Sequence, residues 1–128
     1  MPHVYEWSVL RAGPRVERCE FVNVGVLVYC QMLDALLCQV AEDLSRVHAL
    51  DPEADVDAIR RHLEGIDRVC RGDAAGGEAA LRPLGERFRW LIAPRSTVVQ
   101  TSPVHTGMTD DPVAELADLV ARMVDPPR

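Results

Sequence analysis

Phe21-Val-Asn-Val-Gly-Val-Leu-Val-Tyr-Cys30 decides the fold. It is apolar at nearly every position and rich in β-branched residues, which predicts a strand. Simple alternation puts Val22, Val24, Val26 and Val28 on one face, and Phe21, Leu27 and Tyr29 on the other. A strand apolar on both sides is central, or covered twice. Asn23 and Gly25 interrupt the second face. Gly25 reads as a bulge or a close backbone approach, and Asn23 as a satisfied buried amide.

Upstream, Val4-Tyr-Glu-Trp-Ser-Val-Leu10 alternates, with Tyr5, Trp7 and Val9 on one side and Val4, Glu6, Ser8 and Leu10 on the other. This predicts a strand with one face on the core. Ala12-Gly-Pro-Arg15 is turn chemistry, followed by the charged link Arg15-Val-Glu-Arg-Cys-Glu20. Downstream, Gln31–Asp34 makes a hairpin turn into a third strand over Ala35–Ala41, and one or two helical turns fit Glu42–Leu50. A helix through Val69 can start at Asp51 or Asp55, because Val56, Ile59, Leu63, Ile66 and Val69 recur at helical spacing. A second helix is expected over Ala79–Leu91, with Leu81, Leu84, Phe88 and Leu91 inward and Ala93-Pro94 as its stop. Thr97–Thr101 reads as a fourth strand, followed by a loop to Asp110. Asp111 then caps a last helix with Pro112 at its first position and Val113, Leu116, Val120 and Met123 inward. The expected fold is α+β: a two-layer sandwich of a mainly antiparallel sheet of about four strands with about three helices, in a single domain over 1–128.

Composition narrows the function. The chain has 128 residues, 48% hydrophobic and 27% charged, which is globular. Its longest apolar run, from Val24 to Cys30, is far short of a membrane helix, and its first residues lack the pattern of a secretory signal. The expected location is the cytoplasm. Cys19, Cys30, Cys38 and Cys70 have no zinc-ligand spacing and read as free thiols. No cofactor motif is present: Arg71-Gly-Asp-Ala-Ala-Gly-Gly77 lacks the ending of a phosphate loop. A net charge of −6 argues against nucleic acid.

Candidate site residues concentrate between Pro94 and Thr106. Arg95, Ser96, Gln100, Ser102 and His105 offer a planar donor fork, hydroxyls and a titratable imidazole, as an anion site needs. The bland alternatives are turn hydroxyls, a structural histidine, and an Arg95 paired with Glu17 or Glu20. Arg15, Glu17, Glu20 and Asn23 form a second cluster. Its carboxylates have the spacing of a hard-cation site, but a solvated turn with internal ion pairs is the simpler reading, and no metal is assigned. His3, His48 and His62 read as surface or packing residues.

The segments Arg15-x-Glu-Arg-x-Glu-Phe-Val-Asn-Val-Gly-Val26, Arg87-Phe-Arg-Trp-Leu-Ile-Ala-Pro-Arg-Ser-Thr-Val-Val-Gln100 and Ser102-Pro-Val-His-Thr-Gly107 resemble the bacterial domain-of-unknown-function family 3037. The resemblance covers nearly the whole chain and brings no established activity. It implies that Arg15, Glu17, Glu20, Phe21, Asn23, Gly25, Arg95, Ser96, Gln100, Ser102, His105 and Gly107 are signature positions. It also implies a protein partner, a HipA-like kinase-fold protein. Two functions follow. The first is a non-enzymatic accessory protein with an exposed apolar patch rimmed by arginine. The alternative is a small enzyme or ligand-binding domain acting on a phosphate or carboxylate, with Arg95, Ser96 and Ser102 gripping the anion and His105 as acid or base. The alternative requires those side chains to converge. No oligomeric state is assigned, and the first or third strand is a candidate sheet edge for pairing.

Overall fold

The structure, a computed structural model, describes residues 1–127. It is α+β, as expected. Five strands form one antiparallel sheet: β1 (His3–Ala12), β2 (Val22–Cys30), β3 (Ala35–Val40), β4 (Val99–Thr101) and β5 (His105–Thr109). The order is β3-β2-β1, and the far side of β1 is shared, β4 pairing with its end and β5 with its start. Helices α1 (Ser45–Leu50), α2 (Val56–Arg71) and α3 (Leu84–Ile92) pack on one face as the helical layer of the sandwich. Helix α4 (Pro112–Met123) lies on the opposite face over β2 and β3. The doubly apolar β2 is therefore covered twice.

The two faces have separate cores. Leu10, Leu27, Leu63 and Phe88 are fully or almost fully buried in the larger one, between the sheet and α1–α3. Tyr5, Val26, Val28 and Cys30 meet Leu116, Leu119, Val120 and Val124 in the smaller one. The valines of β2 do not share one face as alternation predicts. Leu10 pairs with Gly25 but Arg11 pairs with Asn23, so Val24 is an extra residue, a β-bulge. The bulge turns Val24 and Val22 toward the larger core while Val26 and Val28 stay on the side of α4. Gly25 sits where a Cβ would come 2.9 Å from the Gln39 carbonyl oxygen and 3.0 Å from Leu10 Cδ1. It is a bulge and a close approach at once.

Helix ends follow local chemistry. Asp55 accepts from the Ala58 N–H at 3.0 Å to start α2, and Gly72 ends it in the left-handed region at φ 71°. Asp111 accepts from the Ala114 N–H at 3.2 Å, with Pro112 in the first turn of α4.

Three expectations need correction. The segment before α3 is a separate 3-10 turn, Glu78–Leu81, and Leu81 is 70% exposed. Pro83 forces Arg82 into an extended conformation, so one continuous helix cannot form there. Val113 is also exposed, because α4 packs through Leu116, Leu119, Val120 and Val124 instead. The loop before Asp110 is strand β5, paired with His3–Trp7.

Gly25→Ala places a methyl against backbone and Leu10, so it is predicted to destabilise the fold by about 2 kcal/mol. Equilibrium urea unfolding should show this as a lower midpoint with an unchanged slope.

Candidate functional site

Helix α3 ends because Ala93, before Pro94, adopts an extended conformation. The chain then turns back. Arg95 donates from Nη1 to the Leu91 carbonyl at 3.1 Å and from Nη2 to the Trp90 carbonyl at 2.6 Å. Its guanidinium lies 4.4 Å from the Trp90 ring centroid. Arg95 therefore caps α3 and stacks on its last aromatic, and it pairs with neither Glu17 nor Glu20. Beside it a crevice of about 230 Å³ opens between α2, the end of α3 and β4. His62, Trp90, Arg95, Gln100 and Thr101 are among the residues that line it, and Leu10 and Val99 lie among its apolar walls. Burial, and then the nearby Arg95 charge, hold the His62 imidazole below its ordinary value.

His105 lies elsewhere. It pairs with Trp7 across β1 and β5, and the rings stack at 4.4 Å with 22° between planes. Trp7 packs on the core under α4, whereas Arg95 sits beside Leu91 and Val99 of the core under α1–α3. The sheet thus separates Arg95 from His105, and the two do not converge on one ligand.

The hydroxyls are mostly structural. Ser102 Oγ accepts from the Val9 N–H at 2.8 Å and donates to the Pro103 carbonyl, while Ser8 Oγ donates to the Ser102 carbonyl at 2.8 Å. This cluster pins the crossing from β4 to β5 against β1. Ser96 is exposed in the loop. Gln100 donates its amide to the Thr97 carbonyl at 2.9 Å, and part of its surface faces the crevice.

The second cluster divides as well. Arg15 pairs with Asp51 at 3.2 Å and Glu53 at 3.4 Å, tying the link after β1 to the start of the helical layer. Glu20 pairs with Arg18, and Glu17 and Glu20 line a shallow basin with Arg15. Asn23 donates to the Met123 carbonyl at 2.9 Å and so anchors the end of α4. Phe21 lies under the Arg11 guanidinium, and Gly107 leaves room for the Tyr5 ring, which a Cβ would meet at 2.7 Å. Among the described residues, no group of three His, Cys, Asp or Glu side chains is placed to hold a metal, and no helix is long and apolar enough to cross a membrane. All four cysteines are free.

The sequence grouped His105 with Arg95, whereas the fold places His62 beside the crevice that Arg95 lines. His62 was within reach of the same logic: with Ile59 and Ile66 it completes a three- and four-residue spacing on α2. That spacing places it beside the buried stripe.

These features define a small α+β protein whose chemistry-bearing residues are split between two faces of one sheet. The chain belongs to the protein family of unknown function DUF3037, whose model matches residues 7–124. No curated protein and no solved structure matches it.

Two outcomes test this geometry. Ser102→Ala leaves the Val9 N–H without its acceptor and is predicted to cost about 1–3 kcal/mol, measured by urea unfolding. His62 has a folded value below its unfolded one, so the stability it permits above about pH 6.5 is lost as pH falls through the folded value. His62→Gln should therefore lose less melting temperature than wild type between about pH 7.5 and about pH 5.5.

Proposed function

We propose that this protein is a non-enzymatic accessory protein that docks onto a protein partner through the outer surface of α3. The reading rests on one observation. Trp90, 37% exposed, lines a shallow basin with Arg82, Pro83, Glu86 and Arg89, next to exposed Leu81 and near the β2–β3 turn, where Met32 is 72% exposed. An apolar surface with an exposed tryptophan and flanking arginines has the composition of a binding hot spot. Arg89 is held by Glu6 through two hydrogen bonds of 2.8 and 2.9 Å, so its guanidinium is fixed before any partner arrives. Arg82 is balanced by Glu86 in the basin and Arg89 by Glu6, so the surface selects a partner chiefly through its apolar centre at Trp90. A HipA-like kinase-fold protein, the partner implied by the family resemblance, is the first candidate. The alternative of an enzyme gripping an anion with Arg95 and finishing with His105 lacks support, because the sheet lies between them.

Binding of the kinase-fold candidate by wild type, by Trp90→Ala/Arg82→Glu and by His105→Ala, measured by calorimetry, tests the proposal. The double variant is expected to lose about thirtyfold or more in affinity, and His105→Ala to bind as wild type. Equal affinity of wild type and double variant, or no binding by any form, contradicts the docking surface and the candidate respectively.

A further inference from the structure

We propose that the crevice between α2, the end of α3 and β4 binds a small organic anion, a carboxylate or phosphate monoester on an apolar body, with Arg95 and His62 at its head group. Four observations carry this inference, and none depends on the docking surface.

Charge is the first. Among the described residues, the only ionisable side chains lining the crevice are Arg95 and His62 and no carboxylate lines it, although the chain as a whole has twenty acidic residues against fourteen arginines. A cationic end in an acidic chain selects an anion. Arg95 is also preorganised: its bonds to the Trp90 and Leu91 carbonyls and its stacking on Trp90 fix the guanidinium and use two of its five N–H donors, leaving three for a ligand.

Shape is the third. Leu10, Ile66, Val69 and Val99 give the crevice apolar walls, so an inorganic ion alone would leave them wet. The fourth is continuity. A neighbouring cavity of about 440 Å³, walled by Ala54, Ala58, Ile59 and Val98, shares His62 and Val99 with the crevice. Asp51, Glu53 and Asp55 also line that cavity, with Asp51 and Glu53 paired to Arg15 and Asp55 capping α2. Carboxylates at the far end and a guanidinium at the near end orient the ligand, head toward Arg95 and body toward Ile59.

The charged groups facing His62 are Arg95 from the end of α3 and Asp51, Glu53 and Asp55 from the link before α2. His62 is held below its ordinary value by burial and by Arg95. A bound anion beside the imidazole favours its charged form and offsets the Arg95 charge, so binding takes up a proton and tightens as pH falls.

The test is a fluorescence titration read at Trp90 in a Trp7→Phe background, because these are the two tryptophans of the chain. The probes are phenylacetate, phenyl phosphate, inorganic phosphate and the uncharged 2-phenylethanol. A saturable response to at least one aromatic anion is expected, with 2-phenylethanol and inorganic phosphate weaker. His62→Gln and Arg95→Gln should each weaken it about tenfold. Acidification from about pH 7.5 to about pH 5.5 should tighten binding in the parent and not in His62→Gln. If phenylacetate binds more tightly, the natural ligand is a carboxylate; if phenyl phosphate does, it is a phosphate monoester. No saturable response at millimolar probe, equal binding of 2-phenylethanol, equal binding of inorganic phosphate, or an unaffected His62→Gln overturns the proposal. His62 borders the crevice but keeps an exposed side chain, so that last arm holds even if Arg95→Gln fails to fold.

Discussion

The antiparallel pairing of β1 with β2, broken once at Val24, is the constraint on which the other elements depend. Leu10 has no exposed surface and packs over the hydrogen of Gly25, while the extra residue turns the start of β2 toward the opposite core from its end. Without that half-turn Asn23 would not reach the last carbonyl of α4, and Val22 and Val24 would leave the core under α1–α3. One inserted residue thus lets a single strand serve two cores. Bulges commonly sit where a sheet must re-aim its side chains, and this one does so inside the stretch from Arg15 to Val26.

The sheet that results is a partition. On one side Arg95, Trp90 and His62 surround a crevice floored by Leu10 and Val99. On the other, His105 stacks on Trp7, and Tyr5 donates to Glu115 of α4 at 3.2 Å. Burial, and then Glu115, raise the Tyr5 phenol further, so that side presents a neutral phenol. Ser102 stitches the two regions together through backbone bonds rather than serving either. The signature residues therefore do several jobs: capping, closing a crossing, filling a bulge, and framing a crevice. The α3 surface and the crevice behind it share Trp90, so a ligand on the inner side touches the residue that the outer side presents.

Much of the fold was legible in the residues. Alternation marked β1 and β2, the Asp55 and Asp111 caps marked α2 and α4, and Ala93-Pro94 marked the end of α3. What stayed hidden has physical causes. Alternation assumes an unbroken pleat, so a bulge that moves Val24 cannot be seen in the valines themselves. Strand β5 was missed because His105, Thr106 and Met108 are exposed and Gly107 carries no side chain, which leaves little hydrophobic signal at an edge. Leu81 looked buried because helical spacing ignores what Pro83 does to Arg82. For the crevice, the sequence marked Arg95 but grouped it with His105 because the two are near in the chain. Only the register of β1 with β4 and β5 reveals that the strand crossing at Ser102 separates them, and only the packing of α2 brings His62 to Arg95.

The central claim is this partition, and a pair of double-mutant cycles on folding stability tests it most directly. Arg95→Ala and His105→Ala, made singly and together, are predicted to be additive within about 0.5 kcal/mol, as expected for side chains without shared partners. Arg95→Ala combined with His62→Ala should be additive near about pH 7.5, where the imidazole is neutral, and depart from additivity as pH falls and the imidazole takes up its proton beside Arg95. A coupling of about 1 kcal/mol or more between Arg95 and His105 would contradict the arrangement described.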